Sequence, residues 1–111
     1  MSDVDDLDRL RPTEGARFLL QLERIEPGER AARYHGWILT PDASHAYQAD
    51  LSDDASVVVR ALDGEAAQAA DELTTMLTTI ARLTARAAAS KRADGLPPWP
   101  HRVLRWRGAG R

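Results

Sequence analysis

The sequence predicts an α+β fold: an antiparallel four-stranded meander, then one long α-helix, then a C-terminal extended segment or fifth strand. Three observations predict it. Four stretches between residues 16 and 62 read as strands, the first by clear apolar–polar alternation and the others by residue type, and are separated by short turn sequences. The run from Glu65 to Lys91, EAAQAADELTTMLTTIARLTARAAASK, carries apolar residues at 3- and 4-residue steps. Beyond it Pro97, Pro98 and Pro100 forbid helix and favour an extended chain.

At 111 residues the chain is one domain by length, with room for a modest core. We divide it into an acidic flexible arm (1–13), a single α+β domain (14–95) and a proline-led basic aromatic tail (96–111). The arm carries Asp3, Asp5, Asp6 and Asp8 and ends at Pro12. Its alternative reading is a short helix with Val4, Leu7 and Leu10 at i, i+3 spacing. The first strand, about 16–26, sets Phe18, Leu20 and Leu22 on one face and Arg17, Gln21 and Glu23 on the other. Leu19 and Ile25 fall on the polar side, so that face is expected to be partly covered as well. Pro27-Gly28-Glu29 turns the chain, because proline fixes φ and glycine supplies the permissive position. The second strand, about 30–40, contains Gly36, a sign of a bulge or of a close backbone approach. The third, about 44–51, sets Tyr47, Ala49 and Leu51 on one side, and the fourth, about 56–62, carries three consecutive valines.

A sheet with one apolar face must bury it, and the helix, expected over about 65–92, has the size to cover it. Ala66, Ala69, Leu73, Met76, Ile80, Leu83 and Ala87 form a heptad-like seam, widened by Ala70, Leu77 and Thr84. Asp63 is the expected N-cap. Acids lead and bases trail along the segment, as the helix dipole favours. Five threonines lower its intrinsic propensity, so the helix depends on packing. A helix of this length spans about 40 Å, against roughly 20–27 Å for the strands. Its last turns, Ala81, Ala85, Ala87, Ala88 and Ala89, are therefore expected to overhang the sheet. A second copy of the chain would cover them, which predicts a homodimer or higher oligomer through Leu73, Met76, Leu77, Ile80, Leu83 and Ala87. A kink near Thr84 or fraying after Ala87 is the alternative.

Composition narrows function. No cysteine is present, which excludes disulfides and thiolate metal sites. The acidic start is the opposite of a signal peptide, and no apolar run is long enough to span a membrane, so the expected location is the cytoplasm. Fourteen arginines accompany a single lysine, Lys91, a usage expected of a GC-rich bacterial genome and without functional content. The net charge of −2 conceals segregation: residues 1–81 balance to −9 and residues 82–111 to +7. The basic end suits an anionic partner, or pairs with the acidic part of its own or a sister chain.

No constellation names a catalytic chemistry. His35, His45 and His101 lack metal-ligand spacing; only a hairpin register that brings His35 and His45 together near Asp42 would make an acid–base or metal site. No phosphate-binding glycine loop, calcium-loop spacing or nucleophile elbow occurs. We expect no enzyme activity, metal or cofactor. The expected binding residues are Arg82, Arg86, Trp99, His101, Arg102, Arg105, Trp106 and Arg107, with Tyr34, His35 and Trp37 as a weaker extension across the sheet. Arginines contact phosphate or carboxylate, and exposed tryptophans stack on unpaired bases. The residues between Arg102 and Arg107 alternate, Leu104 and Trp106 against Val103, Arg105 and Arg107. They can therefore act as a fifth strand, in the chain's own sheet or on a partner's edge. The first expectation is thus a non-catalytic protein-interaction or scaffold module acting through this segment. The second is a single-stranded nucleic-acid-binding protein. For that reading, the order of four strands then a helix, dimerised, is similar to PUR repeats and to dimeric single-stranded-DNA-binding transcriptional coactivators. That likeness lies in element order alone, with no residue motif shared.

Overall fold

A computed structural model describes residues 10–62 and 71–108. The elements run β1 (Ala16–Ile25), a 3-10 turn (Pro27–Glu29), β2 (Ala31–Leu39), β3 (Ser44–Ser52), β4 (Val57–Ala61), α1 (Asp71–Ala93) and β5 (Arg102–Arg107). The strands form one sheet in the order β4-β3-β2-β1-β5, antiparallel throughout. The meander and the fifth strand are as the sequence predicts, and β5 joins the chain's own β1. The expected helix start, with Asp63, Ala66, Ala69 and Ala70, and most of the acidic arm lie outside the described residues.

Strand alternation sorts the sheet into two faces. The inner face, toward α1, carries Phe18 and Leu20 of β1, Tyr34 and Ile38 of β2, Tyr47, Ala49 and Leu51 of β3, and Val103 of β5, all buried in one core. The outer face holds a smaller cluster of Leu19, Trp37 and Leu39, with Leu10 and Ala46 packed against it. Partial cover of the outer face, expected from Leu19, is thus observed. Its cover includes the end of the arm: Arg17 donates to the Leu10 carbonyl at 3.0 Å and Arg11 to that of Pro41 at 2.7 Å, and Pro12 is buried. Residues 10–12 are therefore docked on the sheet, a correction to the flexible arm at its C-terminal end.

The irregularities have local causes. The bulge falls in β1, where the register skips between Leu22 and Arg24, rather than at Gly36. Gly36 instead permits close approach: a Cβ there would lie 3.4 Å from Leu20 Cδ2 and 3.6 Å from Leu77 Cδ2. The missing side chain makes room for Leu77 over the central strand. The helix ends in a Schellman arrangement, with Gly95 at φ +75°, Leu96 N–H bonded to the Lys91 carbonyl (2.8 Å) and Gly95 N–H to that of Arg92 (3.1 Å). Arg92 also pairs with Asp53 of the β3–β4 turn, fixing the helix end to the sheet.

The helix seam is rotated from expectation. Leu77, Ile80, Ala81, Ala85 and Ala88 are buried, whereas Leu83 is 56% exposed and Ala87 is exposed too. The buried stripe is offset from the heptad seam by about one residue, roughly 100° around the axis. The inner face of the sheet presents Tyr34 and Tyr47, whose bulk fills the space beneath the helix, so small residues must meet them. Tyr47 hydroxyl lies 3.5 Å from Thr74 Oγ1 across this contact. Ala81, Ala85 and Ala88 are thus core rather than overhang, and Leu77 and Ile80 are taken by the chain's own sheet. Leu73 and Met76 are half-buried against the core.

Candidate functional site: a cationic groove between α1 and β5

The segment after the helix is built to place β5 beside β1. Trp99 is 2% exposed and donates its indole N–H to the Glu29 carbonyl at 2.8 Å. Tyr34 donates its hydroxyl to the Pro100 carbonyl at 2.7 Å, and burial of that phenol pushes its pKa well above the ordinary value. Leu22 N–H donates to the His101 carbonyl at 2.8 Å, which starts the β1–β5 ladder. The prolines hold the segment extended and free of helix, and the two aromatic side chains fix its position.

From there β5 alternates. Val103 lies opposite Leu20 on the inner face and is buried. Arg105 and Arg107, opposite Phe18 and Ala16, continue the same face. Leu104 and Trp106 fall on the outer face, with Trp106 55% exposed and its indole N–H 3.3 Å from the Glu14 carbonyl. Because α1 does not extend over this edge of the sheet, a groove of about 680 Å³ opens between the two. Phe18, Met76, Ile80, Leu83, Ala87 and Val103 give it apolar walls; Lys91, Arg102, Arg105 and Arg107 give it four cations. Trp106 and Pro100 also border it. Among the described residues none of these four cations forms an ion pair. Arg105 donates to the carbonyl of its own neighbour Leu104 at 2.8 Å. The groove is of the size and apolar character of ligand sites, and its unpaired cations favour a negatively charged ligand.

The structure divides the residues singled out from the sequence. Arg102, Arg105, Trp106 and Arg107 meet at the groove, with Met76, Ile80, Leu83 and Ala87 of the expected oligomer seam. Arg82, Arg86 and His101 are exposed but do not line it. Trp99 is corrected from a binding residue to a core anchor, because its ring is the wedge that seats the tail. Tyr34 and Trp37 are likewise buried, on opposite faces, so they form no continuous stacking surface. His35 stacks on Trp37 with ring centroids 4.0 Å apart and planes 8° from parallel, and its Nδ1 lies 3.6 Å from Glu23 Oε1. His35 pairs across from Gln48 and His45 from Ile38, which puts the histidines on opposite faces and separates the two members of the imagined hairpin site. Among the described residues no group of three His, Asp or Glu is arranged to hold a metal ion. No described helix is long and apolar enough to cross a membrane.

Lys91, which belongs to the basic helix end that the sequence offers for binding together with Arg92, lines the groove; Phe18 and Val103 carry no such signal in the sequence. Lys91 stands four and eight positions after Ala87 and Leu83, so the helical period puts all three on one flank, the one that the rotated seam turns toward β5. No protein family, curated protein or solved structure matches the chain.

Proposed function

We propose that this chain is a non-catalytic binding module that takes an acidic protein segment in the groove between α1 and β5. The observation that carries the reading is the coincidence of apolar walls with four cations that, among the described residues, form no ion pair, at one edge of the sheet. A cation beside apolar surface attracts a partner's carboxylate more strongly than one wholly surrounded by water, because the apolar wall lowers the local dielectric. Among the described residues the polar lining is guanidinium, ammonium, threonine hydroxyl and the Trp106 indole, a set of donors that suits anions and includes no carboxylate or imidazole.

The test is fluorescence anisotropy with a labelled acidic amphipathic peptide, comparing the native chain with Arg105→Glu/Arg107→Glu. Arg105 is exposed and Arg107 is half-buried at the end of the strand, with neither in the core, so the variant should fold. We expect affinity to fall at least tenfold, and equal affinity refutes the reading.

A second reading has its own support. Trp106 is an exposed ring on the same face of β5 as Arg102, and both border the groove with Arg105 and Arg107, which combines a stacking surface with phosphate contacts as single-stranded nucleic acid uses them. A thymidine oligonucleotide in the same assay decides between them: under this reading it outcompetes the peptide, with an affinity that drops steeply as salt rises. Self-association through α1 is a narrower proposal, resting on Leu83, Ala87 and the half-buried Met76, the part of the predicted seam that the sheet leaves uncovered.

A further inference from the structure

The ladder between β1 and β5 tells which backbone groups of β5 remain unused. In an antiparallel pair, directly opposed residues alternate between exchanging both hydrogen bonds and exchanging none. Leu22 N–H bonds to the His101 carbonyl, so the bonded pairs continue as Leu20–Val103, Phe18–Arg105 and Ala16–Arg107. The intervening residues, Arg102, Leu104 and Trp106, then direct their N–H and C=O groups away from β1. The Leu104 carbonyl accepts the Arg105 guanidinium rather than a neighbouring strand, and β5 is the terminal strand on its side of the sheet. This row of donors and acceptors borders the groove.

We infer that the acidic partner segment binds as an added strand, extended and antiparallel or parallel to β5 along this free edge, with alternate side chains entering the groove. The inference rests on the acidic-partner reading above and specifies its geometry. Side chains of the incoming strand on the inner face would lie next to Val103, Arg105 and Arg107 and beneath Leu83 and Ala87. That position calls for an apolar residue at the level of Val103 with carboxylates at alternate positions beyond it. On the outer face they would meet Arg102, Leu104 and Trp106, again a mixture of cation and apolar surface.

Charge decides against a second copy as the occupant of this edge. Pairing β5 with its own symmetry mate would set three arginines of one strand against three of the other, and like charges opposed across strands are destabilising. Arginine on an exposed edge is a device by which sheets avoid pairing with themselves. The same residues attract an acidic strand, so the edge discriminates between the two.

The experiment uses the full chain, isotopically labelled, titrated with two blocked peptides of identical composition. One carries a valine with carboxylates two and four positions beyond it, so that all three share a strand face; the other arranges the same residues at i, i+3, i+4 spacing. We expect the strand-patterned peptide to bind more tightly. Amide exchange should slow at least tenfold at Arg102, Leu104 and Trp106, while Val103, Arg105 and Arg107, already bonded to β1, change little. N-methylation of two alternate peptide bonds should abolish binding on whichever edge of the peptide faces β5. Binding of either peptide without slowed exchange at Leu104 and Trp106 overturns strand addition while leaving the acidic-partner reading standing. Failure of both peptides to bind, or displacement by a thymidine oligonucleotide at equal concentration, overturns both.

Discussion

Replacing Trp99 by alanine tests whether β5 belongs to the core or merely rests on it. The ring is 2% exposed, its N–H is satisfied by the Glu29 carbonyl, and it lies in the main hydrophobic core with Tyr34 and Val103. Truncation of a fully buried tryptophan costs about 3–5 kcal/mol. An unfolding entropy of about 2.1 cal/mol/K per residue gives this 111-residue chain about 0.23 kcal/mol per degree at its midpoint. The expected fall in Tm is therefore about 13–21 °C, read by far-UV circular dichroism. Trp99→Phe keeps most of the apolar contact and loses the hydrogen bond to Glu29, so its fall should be clearly smaller. A Trp99→Ala midpoint within about 2 °C of the parent would refute the reasoning, since it would mean that the segment after Gly95 contributes nothing to stability.

Three further predictions concern separate parts of the fold. Gly36→Ala should leave stability within about 1 kcal/mol, since the new Cβ meets ordinary contacts, whereas Gly36→Val should lose about 1–3 kcal/mol to overpacking against Leu20, Leu77 and Tyr47; urea denaturation distinguishes them. Leu83→Glu should fold with little loss because the side chain is exposed, so sedimentation of the parent and variant reads self-association through α1 without the confusion of unfolding: a shift from dimer to monomer supports it, and identical behaviour dismisses it. At Asp50 burial raises the carboxyl pKa, but hydrogen bonds from Arg33 and Gln48 and the charges of Arg33 and Arg60 outweigh it and hold the group below its ordinary value. Its stabilisation is accordingly present at neutral pH and lost as pH falls through the acid range below about 4. Asp50→Asn should be less stable than the parent at pH 7, with the gap closing by pH 3, and a gap independent of pH would refute that role.

Strands and turns were legible because their signals are local. Alternation in Phe18–Leu20–Leu22 and Tyr47–Ala49–Leu51 marks the inner face directly, and Pro27-Gly28, Gly95 and the proline cluster mark breaks. The helix register was not legible in the same way. Leu73, Met76, Ile80 and Leu83 are the larger aliphatics, and size alone nominates them for the core. What faces a helix, however, is decided by the volume on the other side, and two buried tyrosines under α1 favour alanine there. The groove follows from that rotation, because it moves Met76, Leu83 and Ala87 onto the flank above Arg105 and Arg107. The roles of the three tryptophans were hidden for a related reason: Trp37, Trp99 and Trp106 are chemically identical, and only long-range packing makes the first two core and the third surface.

The pairing of β1 with β5 also governs how the chain is made. Ala16 lies opposite Arg107, so β1 waits for its second partner until the helix and the proline segment have both been translated. Throughout synthesis β2, β3 and β4 can zip up as a local meander, while β1 keeps one edge bare and the inner face lacks Trp99 and Val103. A bare edge above exposed apolar surface is the state most prone to pairing with the wrong chain. A stalled or prematurely terminated product that lacks residues 99–107 would present that state permanently, so synthesis of β5 is the step that closes the edge.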